Sequence, residues 1–287
     1  MDISLETTLQ NTRMHQIVSW SLIIGLFILR ILLLGFGEWL FPTPWVDNVY
    51  QVGTYLLTAV FLWWECKNLP DFHVDALALW IIVLFEPAMT LIWRIWNVHS
   101  PLAFPNTSAK LIWLIASGLA IALWPGRKSL PRFKWKSLGW FGIGTLVGIG
   151  TAILLAVPTS FQVVKGLSIS TIWSTEKGVL LPNFIEVIGY AGVAEEPLFR
   201  GFLWGMLRKA GWKELWIWVF QAALFVLGHI YYLTKFPISF FVIVPVAALI
   251  LGLLVWKART ISATMAAHGA IDTLGYMMGT LAAYYLK

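Results

Sequence analysis

The chain has 287 residues, of which 59% are hydrophobic and 12% charged, with a mean hydropathy of +0.77. Soluble globular domains carry about 25% charged residues, so this balance excludes an ordinary soluble domain and calls for a polytopic membrane protein. The net charge of +6 does not point to nucleic acid, because the basic residues sit between apolar runs, as in cytoplasmic loops facing anionic lipid.

The expected fold is all-α, a polytopic transmembrane helical bundle of about eight or nine spans of ~20 residues. Cys66 is the only cysteine, so an intrachain disulfide is excluded. Residues 1–15 are polar and lack a cleavable-signal pattern. The first span runs over 16–36 and contains Arg30, expected to snorkel or to pair with a carboxylate on another helix, a structural role. Pro42 and Pro44 mark a turn over 37–48, a second span covers 49–64, and 65–75 is a polar connection. A third span, 76–96, holds Glu86, Pro87 and Arg94; Glu86 is expected to pair with Arg94 or Arg30, and Pro87 to kink the helix. A fourth span covers 108–124 and is followed by Arg127, Lys128, Arg132, Lys134 and Lys136, a loop placed on the cytoplasmic side.

The fifth span, 139–157, carries Gly142, Gly144, Gly148 and Gly150, which permit close helix packing. After a long loop over 158–182 come spans at 183–207, 214–233, 237–256 and 260–286. With the amino terminus inside and the spans alternating, 65–75, 125–138, 208–213 and 257–259 all lie in the cytoplasm. They hold most of the Lys and Arg, as the positive-inside rule asks.

Three of the later spans carry ionisable groups roughly midway along, where such groups are costly and usually functional. Glu196 and Arg200 are four apart and share a helical face, a natural ion pair. Glu195 points elsewhere and is left without a dedicated cation in low dielectric, the condition of a general base. Both glutamates serving one buried ion network is the competing reading. His229 alone is compatible with a plain interhelical hydrogen bond. His268 and Asp272, four apart, suit a metal-ligand or acid–base pair, with Gly269 and Gly275 allowing close backbone approach. Counting along the helices puts Glu195 about 19 Å from Arg208 and His268 about 14 Å from Arg259, so all can meet in one cavity opening to the cytoplasm.

The order Glu195-Glu196-Pro197-Leu198-Phe199-Arg200, then Phe225-Val226-Leu227-Gly228-His229, then His268-Gly269-Ala270-Ile271-Asp272 resembles the CAAX protease and bacteriocin-processing family of intramembrane proteases. That family includes the type 2 CAAX prenyl proteases. The resemblance divides the chain into N-terminal spans of unassigned role, 1–138, and a protease core, 139–287. It implies that Glu195 and His229 activate a water against a peptide carbonyl, while His268 and residue 272 stabilise the oxyanion. Glu196, Arg200 and Phe225 then support the site. The prenyl-protein branch typically has Asn at the last position; an ionised Asp272 cannot donate, so it is protonated, orients His268 or binds a metal. The implied cofactor is none or zinc, for which Glu195, His229, His268 and Asp272 form the oxygen and nitrogen set; a metal-free glutamate mechanism is preferred.

The resemblance thus implies an integral membrane endopeptidase, in a prokaryotic cell membrane, reached from the cytoplasmic side or the bilayer. Its partners are lipid and a peptide or prenylated-protein substrate, not nucleic acid. The alternative is a non-catalytic bacteriocin self-immunity or membrane scaffold protein that keeps the motifs. A proton-relaying transporter is the third reading, against which no repeated halves are visible.

Overall fold

The computed structural model describes residues 3–37, 41–85, 130–163, 168–176 and 180–286. Among the described residues all regular structure is helical. Helix α1 (Ile3–Phe27) passes through a π-helical turn (Ile28–Leu33) that carries Arg30, and ends in a short turn (Leu34–Phe36). Helix α2 (Thr43–Trp64) starts earlier than the turn expected over 37–48 allows, because Pro44 fits the first helical turn, where no N–H is needed. A 3₁₀ turn (Leu69–Phe72) leads to α3 (Ala76–Trp80) and a π-helical turn (Ile81–Phe85). Asp75 caps α3, accepting from the Ala78 amide. The predicted fourth span, Glu86, Pro87 and Arg94, and the basic residues Arg127 and Lys128 lie outside the described residues.

Beyond them come α4 (Trp135–Leu154), α5 (Ala156–Ser160) and α6 (Ile169–Glu176). Next are α7 (Leu180–Ala194), a π-helical turn (Pro197–Leu203) and α8 (Trp204–Lys209). The chain continues through α9 (Glu214–Leu227) and α10 (Tyr232–Lys235). It closes with a π-helical turn (Ser239–Ile243), α11 (Val244–Ala258) and α12 (Ile261–Tyr285).

Arg13–Phe36, Trp135–Leu154 and Ser239–Ala258 are long and apolar enough to cross a bilayer, matching three of the expected spans. Leu180–Ala194 and Glu214–Leu227 are apolar but shorter, so among the described residues three helices, not the expected eight or nine, meet the length and apolarity of a span. The outward faces stay apolar, with Leu146 and Ile153 on α4 and Phe241 and Leu253 beside or on α11 exposed. A hydrocarbon solvent accepts such faces and water does not. The chain is an integral membrane protein.

Two packing features place the site. Gly144 and Gly148 on α4 lie against the backbone of Ala263 and Ala267 on α12, where a Cβ would collide, while Gly142 and Gly150 face open space. The small-residue seam is therefore real but uses half of the expected glycines. Since 144 faces 263 and 148 faces 267, α4 and α12 run parallel from one end of the bundle. The second feature is a single core that joins the N-terminal helices to the later ones: Ile23, Tyr55, Phe61 and Phe72 share it with Phe199, Phe202, Trp204 and Met265. Phe61 and Phe202 stack with ring centroids 3.9 Å apart.

The polar loops gather at one end. Arg259 Nη1 lies 2.6 Å from Glu214 Oε1, and Lys209 Nζ lies 3.7 Å from Glu65 and 3.6 Å from Asp71. Arg208 donates to the Asp71 carbonyl and lies 3.2 Å from His73 Nε2. His73, at φ 56°, also accepts the Ile261 amide through its carbonyl at 2.9 Å and holds Nδ1 3.3 Å from the Arg200 carbonyl. Connections 65–75, 208–213 and 257–259 thus share an end, as their charge pattern required.

Candidate active site

The span expected over 183–207 is interrupted at its motif. Pro197 has no N–H, so the Val193 carbonyl loses its donor four residues on; Thr58 Oγ1 of α2 donates to it instead, at 3.5 Å. The chain leaves α7 at Ala194 and re-forms as the π turn Pro197–Leu203, which places Glu195 and Glu196 at the junction. A single π turn inside a helix is a frequent companion of functional side chains.

Glu196 and Arg200 pair as expected, Oε1 to Nη1, at 3.2 Å, and both are fully buried. The same Oε1 accepts from His268 Nδ1 at 2.8 Å. The Phe225 ring covers Arg200 at 4.0 Å from Cζ. Phe225 also has a backbone role, since its carbonyl lies 2.8 Å from His229 Nδ1. His229 sits just past the end of α9 rather than within a helix as expected, in a turn that begins at Gly228.

Glu195 Oε2 stands 3.8 Å from His268 Nε2 and 3.9 Å from His229 Nε2, and His268 Nε2 stands 3.6 Å from Asp272 Oδ2. The three separate motifs therefore converge, at spacings one water can bridge. The two glutamates grip the same imidazole from opposite nitrogens, Glu196 at Nδ1 and Glu195 facing Nε2. Gly269 lets α12 approach Ile188 and Phe184 of α7, whereas Gly275 faces open space.

One expectation is corrected. Glu195 is not without a cation: Arg30 Nη2 lies 2.7 Å from its Oε1 and 2.9 Å from His229 Nε2. Arg30 Nη1 donates to the Tyr50 hydroxyl at 2.7 Å, and the Tyr231 ring lies 5.9 Å from Cζ. The ring of His229 is thereby defined. A carbonyl only accepts and a guanidinium only donates, so Nδ1 carries the proton given to Phe225 and Nε2 receives Arg30. The only sign of Arg30 in the sequence was a charge inside an apolar run; nothing there named its partner.

A cavity of about 450 Å³ opens beside Glu195, His229, His268 and Asp272. Its further walls are largely apolar, including Leu155, Ile243, Ala247, Leu251 and Ile271, with Gln162 and Ser239 hydrogen-bonded to each other at 3.0 Å along it. Helix α11 contributes Val244, Ala247 and Leu251 but nothing from its last turn before Arg259. The cavity therefore extends away from the basic end, contrary to the expected opening toward the basic loops. That end is filled by buried Phe72, Phe199, Phe202 and Trp204.

Zinc does not fit these residues as they stand. Arg30 already donates to Glu195 Oε1 and His229 Nε2, so a dication at His229 would meet a fixed guanidinium. Among the described residues no group of three His, Cys, Asp or Glu side chains is arranged to hold a metal.

Residues 177–274 match the family model described as type II CAAX prenyl endopeptidase Rce1-like. The matched stretch contains all three motifs, and excludes Arg30 and the other N-terminal residues packed on them. No curated protein and no solved structure matches the chain.

Proposed function

We propose, from the match of residues 177–274 to the Rce1-like family model, that the chain is an intramembrane endopeptidase in which Glu195 activates a water against a peptide carbonyl. The observation that carries this reading is the convergence on one cavity of a carboxylate oxygen and two imidazole nitrogens 3.8 and 3.9 Å from it. Glu195 Oε2 takes a proton from the water as its oxygen bonds to the carbonyl carbon. His268, held at Nδ1 by Glu196, directs Nε2 into the cavity, where in the imidazolium form its N–H hydrogen-bonds to the oxyanion and keeps its proton as the carbonyl re-forms. Collapse of the intermediate breaks the C–N bond, and the proton held by Glu195 passes to the leaving amine. Asp272 faces His268 Nε2 and orients it. The apolar walls suit a substrate with a hydrophobic or prenylated segment beside the scissile bond.

The test is cleavage of a farnesylated CAAX reporter by purified protein. Wild type is expected to cleave it, Glu195→Ala to lose cleavage, and a chelator to leave it intact. Loss with chelator would require a metal site different from the arrangement described. No cleavage by folded wild type would remove the prenylated substrate and favour a bacteriocin-type immunity or scaffold role.

A further inference from the structure

We propose that Arg30 is a positioning residue of this site, supplied by α1 from outside the Rce1-like segment, whose guanidinium sets the Glu195 carboxylate and the His229 ring for hydrolysis. The proposal rests on the reading of Glu195 as the base that activates the water, with His229 beside it in the site. It goes beyond that reading by making the N-terminal helices part of the active site.

Three observations carry it. One nitrogen, Nη2, serves both groups, 2.7 Å from Glu195 Oε1 and 2.9 Å from His229 Nε2, so the two cannot move independently. The other terminal nitrogen, Nη1, is itself fixed by the Tyr50 hydroxyl at 2.7 Å, and a planar fork held at both tips has little orientational freedom. The path of the side chain is also reserved: a Cβ on Gly228 would lie 3.2 Å from Arg30 Cγ, closer than side-chain contacts normally come. Arg30 is 1% exposed and does not line the cavity, so it acts through Glu195 and His229 and not on the substrate. With Oε1 held by Arg30, Oε2 is the oxygen that faces both histidine nitrogens.

A merely neutralising Arg30 makes a different forecast, because lysine also carries the charge. A single ammonium cannot hold Tyr50 and the Glu195–His229 pair in the same geometry. Arg30→Lys is therefore expected to lower kcat about 100-fold with KM within about 2-fold, the signature of a misplaced reacting group. Tyr50→Phe, which leaves the guanidinium in place but frees one tip, is expected to lower kcat about 5- to 10-fold with KM likewise unchanged. Full kcat in folded Arg30→Lys, or a change confined to KM, overturns the proposal.

A readout independent of cleavage separates this failure from failure of the hydrolase reading. Thermal unfolding of Arg30→Met, Glu195→Gln and the double variant forms a cycle. Removing one buried partner strands the other, so the double variant is expected to melt above Arg30→Met. Additive losses would mean that Arg30 does not hold Glu195, and the proposal falls whatever the activity. A coupled cycle in a protein that cleaves no reporter supports the contact and counts against the hydrolase reading.

Discussion

Glu196 Oε1 lies 2.8 Å from His268 Nδ1 while also receiving Arg200 Nη1 at 3.2 Å, so one carboxylate oxygen ties the π turn Pro197–Leu203 to helix α12. Glu196 is 0% exposed and does not line the cavity. Its work is to orient the imidazole and to balance a buried guanidinium.

Two substitutions at that position separate these jobs. Glu196→Gln keeps an oxygen for His268 but removes the charge facing Arg200, and is expected to lower kcat/KM roughly 10- to 100-fold. Glu196→Ala leaves Arg200 buried without its carboxylate and is expected to destabilise the fold by about 3–5 kcal/mol. Reporter cleavage reads the first and thermal unfolding the second.

Asp272 is the departure from the Asn expected in the prenyl-protein branch. Its Oδ2 sits 3.6 Å from His268 Nε2. An amide at this place can both contact the ring and donate to an oxyanion. Asp272→Asn is therefore expected to keep cleavage within about 10-fold of wild type, whereas Asp272→Leu, which can do neither, falls about 100-fold or more. Equal losses in both would remove the orienting role.

The glycine seam gives a test of the fold itself. Gly148→Val places a side chain against Ala267 and Ala270 and is expected to cost about 1–3 kcal/mol by forcing α4 from α12. Gly150→Ala meets nothing within 4 Å and is expected to be neutral or slightly stabilising, since alanine is the better helix former. Unfolding in denaturant compares the two.

His73 lies in the polar connection outside the membrane-spanning helices. Burial, and then the Arg208 guanidinium beside it, push its pKa down from 6.5 to about 4. Above pH 6.5 the ring is neutral in folded and unfolded chains alike. As pH falls from 6.5 toward 4 the unfolded chain takes up a proton that the native ring refuses, so stability declines across that window, by about 1–3 kcal/mol. Burial opposes ionisation of Glu65, but hydrogen bonds from Ser19 and Asn68 and the charge of Lys209 outweigh it. Its carboxyl stays below the usual 4.5 and titrates later. His73→Asn tolerates the left-handed backbone and is expected to flatten the slope between pH 6.5 and 4; thermal unfolding at several pH values checks this.

Much of the site was legible because its chemistry conflicts with its surroundings. Glu195, Glu196, Arg200, His229 and His268 stand out where hydrocarbon is expected, and the i,i+4 spacing of Glu196 and Arg200 identified their pair directly. Helix starts were readable where local chemistry sets them, as at Thr260, whose hydroxyl accepts the Ser262 amide. The break at Glu195 was not anticipated: a proline in a span was visible, but whether it bends, ends or widens the helix depends on what satisfies the Val193 carbonyl, and Thr58 lies far away in the chain.

By itself, the sequence determined that the protein lives in a membrane, that its helices are apolar outward, and that three polar motifs must be sheltered somewhere. Those properties follow from side-chain solvation and helical periodicity, which act over a few residues. The tertiary structure alone decided which charge meets which. It brought Arg30 to Glu195 and His229, gave His268 to Glu196, and extended the cavity away from the basic loops by filling the other end with aromatic rings. A buried charge takes whichever partner the packing brings within reach, and that choice is written in the arrangement of helices rather than in the order of residues.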